Sequence, residues 1–312
     1  MRFIAASFFV IWAQACHGQS YTAYHARVNQ ALNEVALGRF AEGLVVLENL
    51  FTTETKPFPR DVAIALQLAA FTDDSDGFLS IYPLAFQSGI SLSIAESNRV
   101  IKSFLISHSV VRESCLEIQR SNRDQFESTL EVQTRDRFIS NYLLEQKSKR
   151  TPHYAGIVAQ NTAYIHEYWE RHGYPSEKRI GIDQGSLMNR SGEQNYRGLE
   201  AGNRKVVVTM LHVPNGYSMF EDQLWEALYN GEIYPVDLAT IYAFEHGRVS
   251  VLYPAISAKS SLKYDLNAPF EPICSDLDKV HADRVKFALV DLDTEKQLYA
   301  LEREFDFQFF RR

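Results

Sequence analysis

The chain has 312 residues, of which 46% are hydrophobic and 23% are charged, and its formal net charge is −7. This composition excludes wholesale disorder, because disordered chains combine few apolar residues with a high density of charge. The acidic balance argues against nucleic acid as a partner, since no concentrated basic surface is evident to offset phosphate charge. Single domains most often run to about 100–150 residues, so the length predicts two domains.

Residues 1–18 have the order of a signal peptide. The basic Arg2 is followed by an apolar run at 3–13 that is too short to span a bilayer, and small residues come next. We therefore expect an exported protein that is periplasmic, attached to the outer membrane or extracellular, without a transmembrane helix in its mature chain. Cys16 stands where a bacterial lipoprotein carries its lipid anchor, but the residues before it match that cleavage box only in part. Lipidation of Cys16 and simple removal of the leader both stay open.

Residues 20–150 are predicted to form a helical domain. Apolar residues recur at helical spacing on both sides of Gly38, which predicts a helical hairpin. The spacing of Gly38, Phe40 and Gly43 resembles the tetratricopeptide repeat, in which an aromatic residue after the turn glycine packs against a small residue three positions later. Such repeats bury their apolar faces by stacking. We predict either a concave surface that binds a protein partner or a plain helical bundle that packs against the C-terminal half.

Residues 151–312 are predicted to form an α-rich C-terminal domain with a few short strands. The boundary is expected at 147–152, where polar residues and a proline end the preceding helix. Helical spacing predicts a helix at 154–172, ended by Gly173. The stretch 180–202 shows neither helical nor strand periodicity and is predicted to be a loop.

One segment of the C-terminal half carries the strongest local signals. Its β-branched run at 206–211 favours a buried strand by propensity. Ser218 and Glu221 have the spacing of a capping box, which predicts the start of a helix that Gly231 would end. Pro235 fits the first turn of a second helix. The segment is therefore predicted to contain one strand followed by two helices.

Several short motifs follow one another along this half of the chain. They are Gly173-Tyr174-Pro175, the apolar run ending at His212, the stretch from Gly231 to Ala239, the short run 249–253, which is itself a predicted strand, and Val280 followed by Asp283-Arg284 and Leu289. Together they resemble an uncharacterised bacterial domain family, whose members often carry helical repeats upstream. The resemblance covers residues 130–292 and implies that the run before His212 is helical, against its strand propensity.

The resemblance also bears on the polar residues of a site. In that family an Asp-Arg pair follows the Leu-Ala motif, and the later tyrosine lies in a Gln-x-Tyr-Gly-Thr motif. This chain has Ala243 and Phe244 where the pair is expected, and Pro254 follows Tyr253. If those polar residues form a site in the family, the resemblance implies that this chain has lost part of it.

No established catalytic or metal-binding motif is present. The nine histidines form no His-Glu-x-x-His motif, and neither a closely spaced cysteine pair nor a known nucleophile motif occurs. We therefore expect no metal ion and no other cofactor. Export permits a disulfide between Cys115 and Cys274, and two buried thiols are an equal alternative.

His212 is the strongest single candidate for a site residue. A histidine that closes an apolar run beside a turn can lie at the rim of a pocket, although such a histidine more commonly bonds a loop carbonyl. Asp183 and Tyr253 are weaker catalytic candidates that could act with it. Two functions follow as predictions. The first is a non-enzymatic envelope or secreted protein whose helical N-terminal half binds a partner or supports the C-terminal domain. The second is a ligand-binding or hydrolase-like C-terminal domain that uses His212.

Overall fold

A computed structural model describes residues 21–54, 56–188, 194–246 and 277–310, without the side chains of 184–197. Within these ranges the protein is mainly α-helical, as predicted, and its strands form one antiparallel hairpin. No helix in the described ranges is both long enough and apolar enough to cross a lipid bilayer. The predicted signal peptide, Cys16, Cys274 and the predicted strand at 249–253 lie outside the described residues.

The N-terminal half is a succession of helices that pack against their neighbours in the chain. Their bounds are 21–36 (α1), Phe40–Thr53 (α2), Pro59–Phe71 (α3), Ser75–Gln87 (α4), Leu92–Ala95 (α5), Arg99–Ser107 (α6), Ser109–Ser121 (α7), Arg123–Thr129 (α8) and Val132–Ser148 (α9).

The helices α1 and α2 form the predicted hairpin. Gly38 lies in the turn with φ at +78°, a conformation that other residues adopt only with strain. A Cβ atom at Gly43 would lie 2.6 Å from Cγ2 of Val35, so the glycine lets the two helices approach closely. The assignment to tetratricopeptide repeats stays a prediction.

The helix α3 lies at the centre of the fold and contacts α2, α4 and α6. Residues 59–70 are all buried, whereas a surface helix would leave one side in solvent. Most of these side chains are apolar, but Arg60, Asp61 and Gln67 are polar and fully enclosed. Buried polar groups require partners, and each of these three has at least one partner in the C-terminal half or in the tail of the chain.

The C-terminal half contains shorter helices around one hairpin. Its elements are Tyr154–His172 (α10), Glu177–Ile180 (α11), Ile182–Met188 (β1), Gln194–Ala201 (β2), Arg204–His212 (α12), Gly216–Met219 (α13), Glu221–Tyr229 (α14), Pro235–Glu245 (α15), Leu277–Lys286 (α16) and Leu292–Phe305 (α17). Three predicted helix boundaries are confirmed. Gly173 follows α10 with φ at +82°, Gly231 follows α14 with φ at +66°, and Pro235 is the first residue of α15.

The predicted loop at 180–202 is wrong, because most of it forms the two strands β1 and β2. Ile182 pairs with Ala201 at the open end of this antiparallel hairpin. The register shifts between Gln184 and Ser186, which indicates a bulge or a similar irregularity. A bulge interrupts the alternation of inward and outward side chains, so the period of two that reveals a strand is lost from the sequence.

The predicted strand at 206–211 is also wrong, because this run lies in the helix α12, as the family resemblance implied. Val206, Val207 and Met210 lie on one side of α12 and are buried. The helix packs against α9, α10 and α15. Helix and strand propensities differ by less than about 1 kcal/mol per residue, so the burial of this apolar side outweighs the preference of the β-branched residues.

The predicted capping box of Ser218 and Glu221 does not form. The helix α14 begins at Glu221 without a side-chain cap, and Ser218 lies within the preceding short helix α13. The backbone N–H of Ser218 donates instead to Glu245 at the end of α15, at 3.1 Å, and its hydroxyl contacts the same carboxylate. An acceptor that is distant in the sequence has replaced the local one.

The aromatic tail after α17 packs against the core. Phe307 and Phe309 are buried. Between them, the backbone of Gln308 exchanges two hydrogen bonds with the side-chain amide of Gln67, at 2.8 and 3.0 Å. The side-chain oxygen of Gln308 accepts from the backbone N–H of Leu199 at 2.9 Å. The tail therefore joins α3 to β2.

Candidate functional site

His212 is the last residue of α12, and its ring pairs with a buried carboxylate. The Nδ1 atom of the ring contacts Oε1 of Glu145 on α9. The side chain of Glu145 is 0% exposed, whereas that of His212 is 17% exposed. The second oxygen of Glu145 accepts a hydrogen bond from Nδ2 of Asn161 on α10, at 3.1 Å. A carboxylate enclosed in this way is held from both sides, and it fixes the orientation of the imidazole ring.

Three helices position this cluster. The helices α9 and α10 are joined by the turn at 149–153, and α12 packs against both of them. Asn161 also donates to the backbone carbonyl of Asn141 at 3.0 Å, which ties α10 to α9. The ring of Tyr154 approaches the His212 ring edge to face, with 6.2 Å between the ring centroids. A positive charge on His212 would interact favourably with the carbonyl end of α12.

The cluster contains one part of a general-base arrangement, namely a histidine that is oriented by a carboxylate. A carboxylate that orients a histidine through Nδ1 leaves the other ring nitrogen for proton transfer. Within the described residues, however, no hydrogen bond joins the His212 ring to a serine, threonine or cysteine side chain.

The other two predicted site residues are placed differently. Asp183 lies in β1, where it pairs with Glu200 of β2, whereas His212 contacts Glu145 of α9. Tyr253 lies outside the described residues. A site that combines the three therefore stays a prediction.

Glu145 was not predicted from the sequence as the partner of His212. A signal for it exists, because Phe138, Tyr142 and Glu145 recur at helical spacing and all three are buried on α9. An acidic residue in an otherwise apolar helical stripe requires a buried partner.

A second polar cluster joins the two halves of the chain. Arg60 of α3 is 2% exposed and binds two carboxylates of the C-terminal half. Its Nε donates to Glu177 at 2.7 Å, and its Nη2 donates to Asp237 at 2.6 Å. Asn203 donates to the same oxygen of Asp237 at 3.0 Å, and the ring of Tyr234 lies 4.1 Å from the guanidinium carbon. Every charge in this cluster has a partner, which is what the interior of a protein requires.

The residue after Arg60 belongs to a neighbouring cluster of tyrosines. The carboxylate of Asp61 accepts hydrogen bonds from the hydroxyls of Tyr24, at 2.6 Å, and Tyr234, at 2.8 Å. Burial raises the pKa of Asp61 to about 7, although both hydroxyls favour the charged form. Asp61 therefore titrates near neutral pH inside the core.

His25 of α1 is enclosed by aromatic rings beside this cluster. Its ring lies 4.3 Å from that of Tyr21 and 4.9 Å from that of Tyr234, measured between centroids. Burial, together with the positive charges of Lys178 and Arg60, lowers the pKa of His25 well below its ordinary value. Within the described residues its Nε2 has no hydrogen-bond partner, and a cavity of about 40 Å³ lies next to the ring. That space is large enough to hold a water molecule.

The chain matches no protein-family model, no curated protein and no solved structure. Membership of the bacterial domain family that its motifs resemble stays a prediction. At the two positions where that family has its Asp-Arg pair, Ala243 is buried and Phe244 is exposed.

The described residues also contain no group of three or more His, Cys, Asp or Glu side chains that could hold a metal ion. Cys115 is a free, buried thiol in α7. Burial raises its pKa to about 12, so the reactive thiolate is scarce at neutral pH.

Proposed function

We propose that this protein is a non-enzymatic binding protein of the cell envelope or of the secreted fraction. The observation that carries the proposal is the buried cluster of Arg60 with Glu177 and Asp237. Through Arg60, the N-terminal helices bind α11 and α15 in the interior of the protein. Their principal task is therefore to support the C-terminal half, whose surface is then free to recognise a partner.

The N-terminal half also offers a surface of its own for a protein partner. Leu37 and Val45 are both more than half exposed. Val45 lines a recess of about 420 Å³, together with Glu34 and Glu42. An exposed apolar surface with a polar rim is typical of a site for protein association.

Export belongs to the same proposal and rests on the first 18 residues of the sequence. Expression of the whole chain in a bacterium, followed by N-terminal sequencing of the mature protein, tests it. We expect cleavage between residues 13 and 19. A Cys16→Ser variant separates the two alternatives, because it abolishes lipid labelling but leaves simple cleavage unchanged. Retention of Met1 in the mature chain would contradict export.

A second candidate function is favoured by one observation. Glu145 and Asn161 hold the His212 ring in a fixed orientation at the surface of the protein, as an oriented general base requires. A hydrolase-like or ligand-binding activity of the C-terminal domain would use this ring.

Model substrates distinguish the two functions. Hydrolysis of activated esters, amides and phosphate esters is compared between the wild-type chain, a His212→Gln variant and a His281→Gln control, in which an exposed histidine of α16 is replaced. We expect no rate above background that depends on His212. A rate that is lost in His212→Gln and kept in His281→Gln overturns the non-enzymatic proposal in favour of the second candidate.

A further inference from the structure

A recess of about 380 Å³ lies between α10 and α14. One side of it is aromatic. The rings of Trp169 and Phe220 stack with 5.7 Å between their centroids and 18° between their planes, and the ring of His166 lies 5.8 Å from that of Phe220. Phe220 is buried, so it fixes the position of the Trp169 ring. We call this recess the α10/α14 groove.

The rest of the groove is acidic. Glu170, Glu226 and Glu232 contribute carboxylates to its lining, and no lysine or arginine is among the described residues that line it. Glu170 and Glu226 are exposed, and Glu170 lies 3.6 Å from the ring of His166. The groove therefore presents an excess of negative charge beside the face of an aromatic pair.

Glu232 lies deeper than the other two carboxylates. One of its oxygens accepts a hydrogen bond from the backbone N–H of Tyr174 at 3.3 Å. A Cβ atom at Gly173 would lie 3.1 Å from the other oxygen, so the glycine leaves room for this carboxylate. Burial raises the pKa of Glu232, while Arg179 and Lys178 oppose that shift. A partly desolvated carboxylate binds a cation more strongly than an exposed one does.

We infer that the α10/α14 groove binds an arginine side chain of a partner polypeptide, an inference that rests on the proposed binding function. A guanidinium group stacks flat on an aromatic ring and donates its hydrogen bonds to carboxylates in the same plane. The stacked pair of Trp169 and Phe220 offers the ring. Glu170 and Glu226 offer exposed carboxylates, and Glu232 offers the deeper one.

Charge complementarity and the shape of the groove select this occupant. Its volume is close to the lower end of the range of about 300–1,000 Å³ that small ligands occupy, which suits a single side chain. The rim at His166 and Glu170 is open, with side-chain exposures of 45% and 67%. An open rim lets a polypeptide backbone pass over the groove, whereas a site for a free metabolite encloses most of its ligand.

The test uses the full chain and a short peptide, acetyl-Gly-Gly-Arg-Gly-Gly-amide, in titration calorimetry and tryptophan fluorescence. We expect saturable binding that quenches Trp169 and weakens as salt is added. A peptide with citrulline in place of arginine keeps the shape but lacks the charge, and we expect it not to bind. The double variant Glu170→Gln/Glu226→Gln should weaken binding of the arginine peptide by about tenfold or more.

Two controls make the result specific. Glu167→Gln removes an exposed carboxylate of α10 that pairs with Arg171 outside the groove, and it should leave binding unchanged. Trp225→Phe removes the other tryptophan of the described residues and should leave the quenching in place.

Three outcomes overturn the inference. They are no saturable binding by the wild-type chain, equal binding by the double variant, and binding of agmatine as tight as that of the peptide, which would mark a site for a small molecule. None of them depends on His212. Failure of the peptide test therefore does not contradict the non-enzymatic proposal. Turnover that depends on His212, in turn, does not contradict arginine binding by the groove.

Discussion

The guanidinium of Arg60 and the carboxylate of Asp237 meet in the interior of the protein although 177 positions separate them in the chain, with 2.6 Å between Nη2 and Oδ2. Burying two charges together is costly unless each keeps its partner. We expect Arg60→Met to lower the free energy of unfolding by about 3–5 kcal/mol, because Glu177 and Asp237 would stay buried without their cation. Urea denaturation of the full chain measures this loss.

Two further variants sharpen that prediction. Arg99→Met replaces an arginine whose side chain is 80% exposed and which pairs with Asp306, so we expect it to cost less than about 1 kcal/mol. Neutralising the carboxylates as well, in Arg60→Met/Glu177→Gln/Asp237→Asn, should restore part of the stability lost in Arg60→Met. Equal costs for the Arg60 and Arg99 variants would contradict the role of the cluster.

The stability of the protein should depend on pH through Asp61. Its pKa is about 7 in the folded protein, because of burial, against an ordinary value of 3.8. Between these values the folded protein holds the proton and the unfolded chain has lost it. The free energy of unfolding therefore falls as the pH rises through this range, by at most about 1.4 kcal/mol per pH unit, and the effect ends once Asp61 is ionised in both states.

The variant Asp61→Asn isolates this contribution. Urea denaturation from pH 4.5 to 8 should give a flatter profile for Asp61→Asn than for the wild-type chain. Asp76→Asn, which replaces an exposed aspartate of α4, should keep the wild-type profile. Parallel profiles for the wild type and Asp61→Asn would show that Asp61 ionises normally.

Replacing either of two helical glycines by alanine should change the stability of the protein, in opposite directions at the two positions. A Cβ atom at Gly43 would lie 2.6 Å from Cγ2 of Val35 and 3.0 Å from the carbonyl oxygen of Ala31, so Gly43→Ala should destabilise the protein by about 1–3 kcal/mol. At Gly156 in α10 a Cβ atom meets nothing within 4 Å, so Gly156→Ala should stabilise it by about 0.5–1 kcal/mol. Thermal unfolding of both variants provides the comparison, and a stabilised Gly43→Ala protein would refute the close approach of α1 and α2.

Cys115 should resist alkylation in the folded protein. Burial raises its pKa from 9.0 to about 12, so the thiolate is scarcer by about three orders of magnitude at a given pH. Treatment with iodoacetamide, followed by mass spectrometry of the Cys115 peptide, should show slow labelling in buffer and rapid labelling in guanidinium chloride. A peptide in which Cys115 is joined to Cys274 would contradict the free thiol.

The boundaries of several helices follow from local chemistry and were predicted correctly. Gly173 and Gly231 end helices because they adopt positive φ. Pro235 begins a helix because the backbone N–H that proline lacks would have no hydrogen-bond partner in the first turn. These effects involve neighbouring residues alone. The choice between strand and helix at 206–211 is different, because it depends on the surfaces against which Val206 and its neighbours pack.

The pairings within the polar clusters could not be predicted, because the paired residues are distant in the sequence. Arg60 lies 117 positions from Glu177, and Glu145 lies 67 positions from His212. For His212 the sequence indicated a candidate but no partner. Ser218 shows the same limit, since a distant carboxylate at Glu245 displaced its predicted cap.

The pairing of Gln67 with Gln308 sets a condition on the synthesis of this protein. Gln67 is buried in the central helix, and its side-chain amide meets the backbone of Gln308 only after another 241 residues have been added. At about 5–20 residues per second, a ribosome needs on the order of tens of seconds to make that stretch. During this interval Gln67 can already donate to the carbonyl of Ala63 and accept from the side chain of Asn98, but its two hydrogen bonds with Gln308 cannot form. The native hydrogen bonding of the central helix is therefore complete only once the tail has emerged.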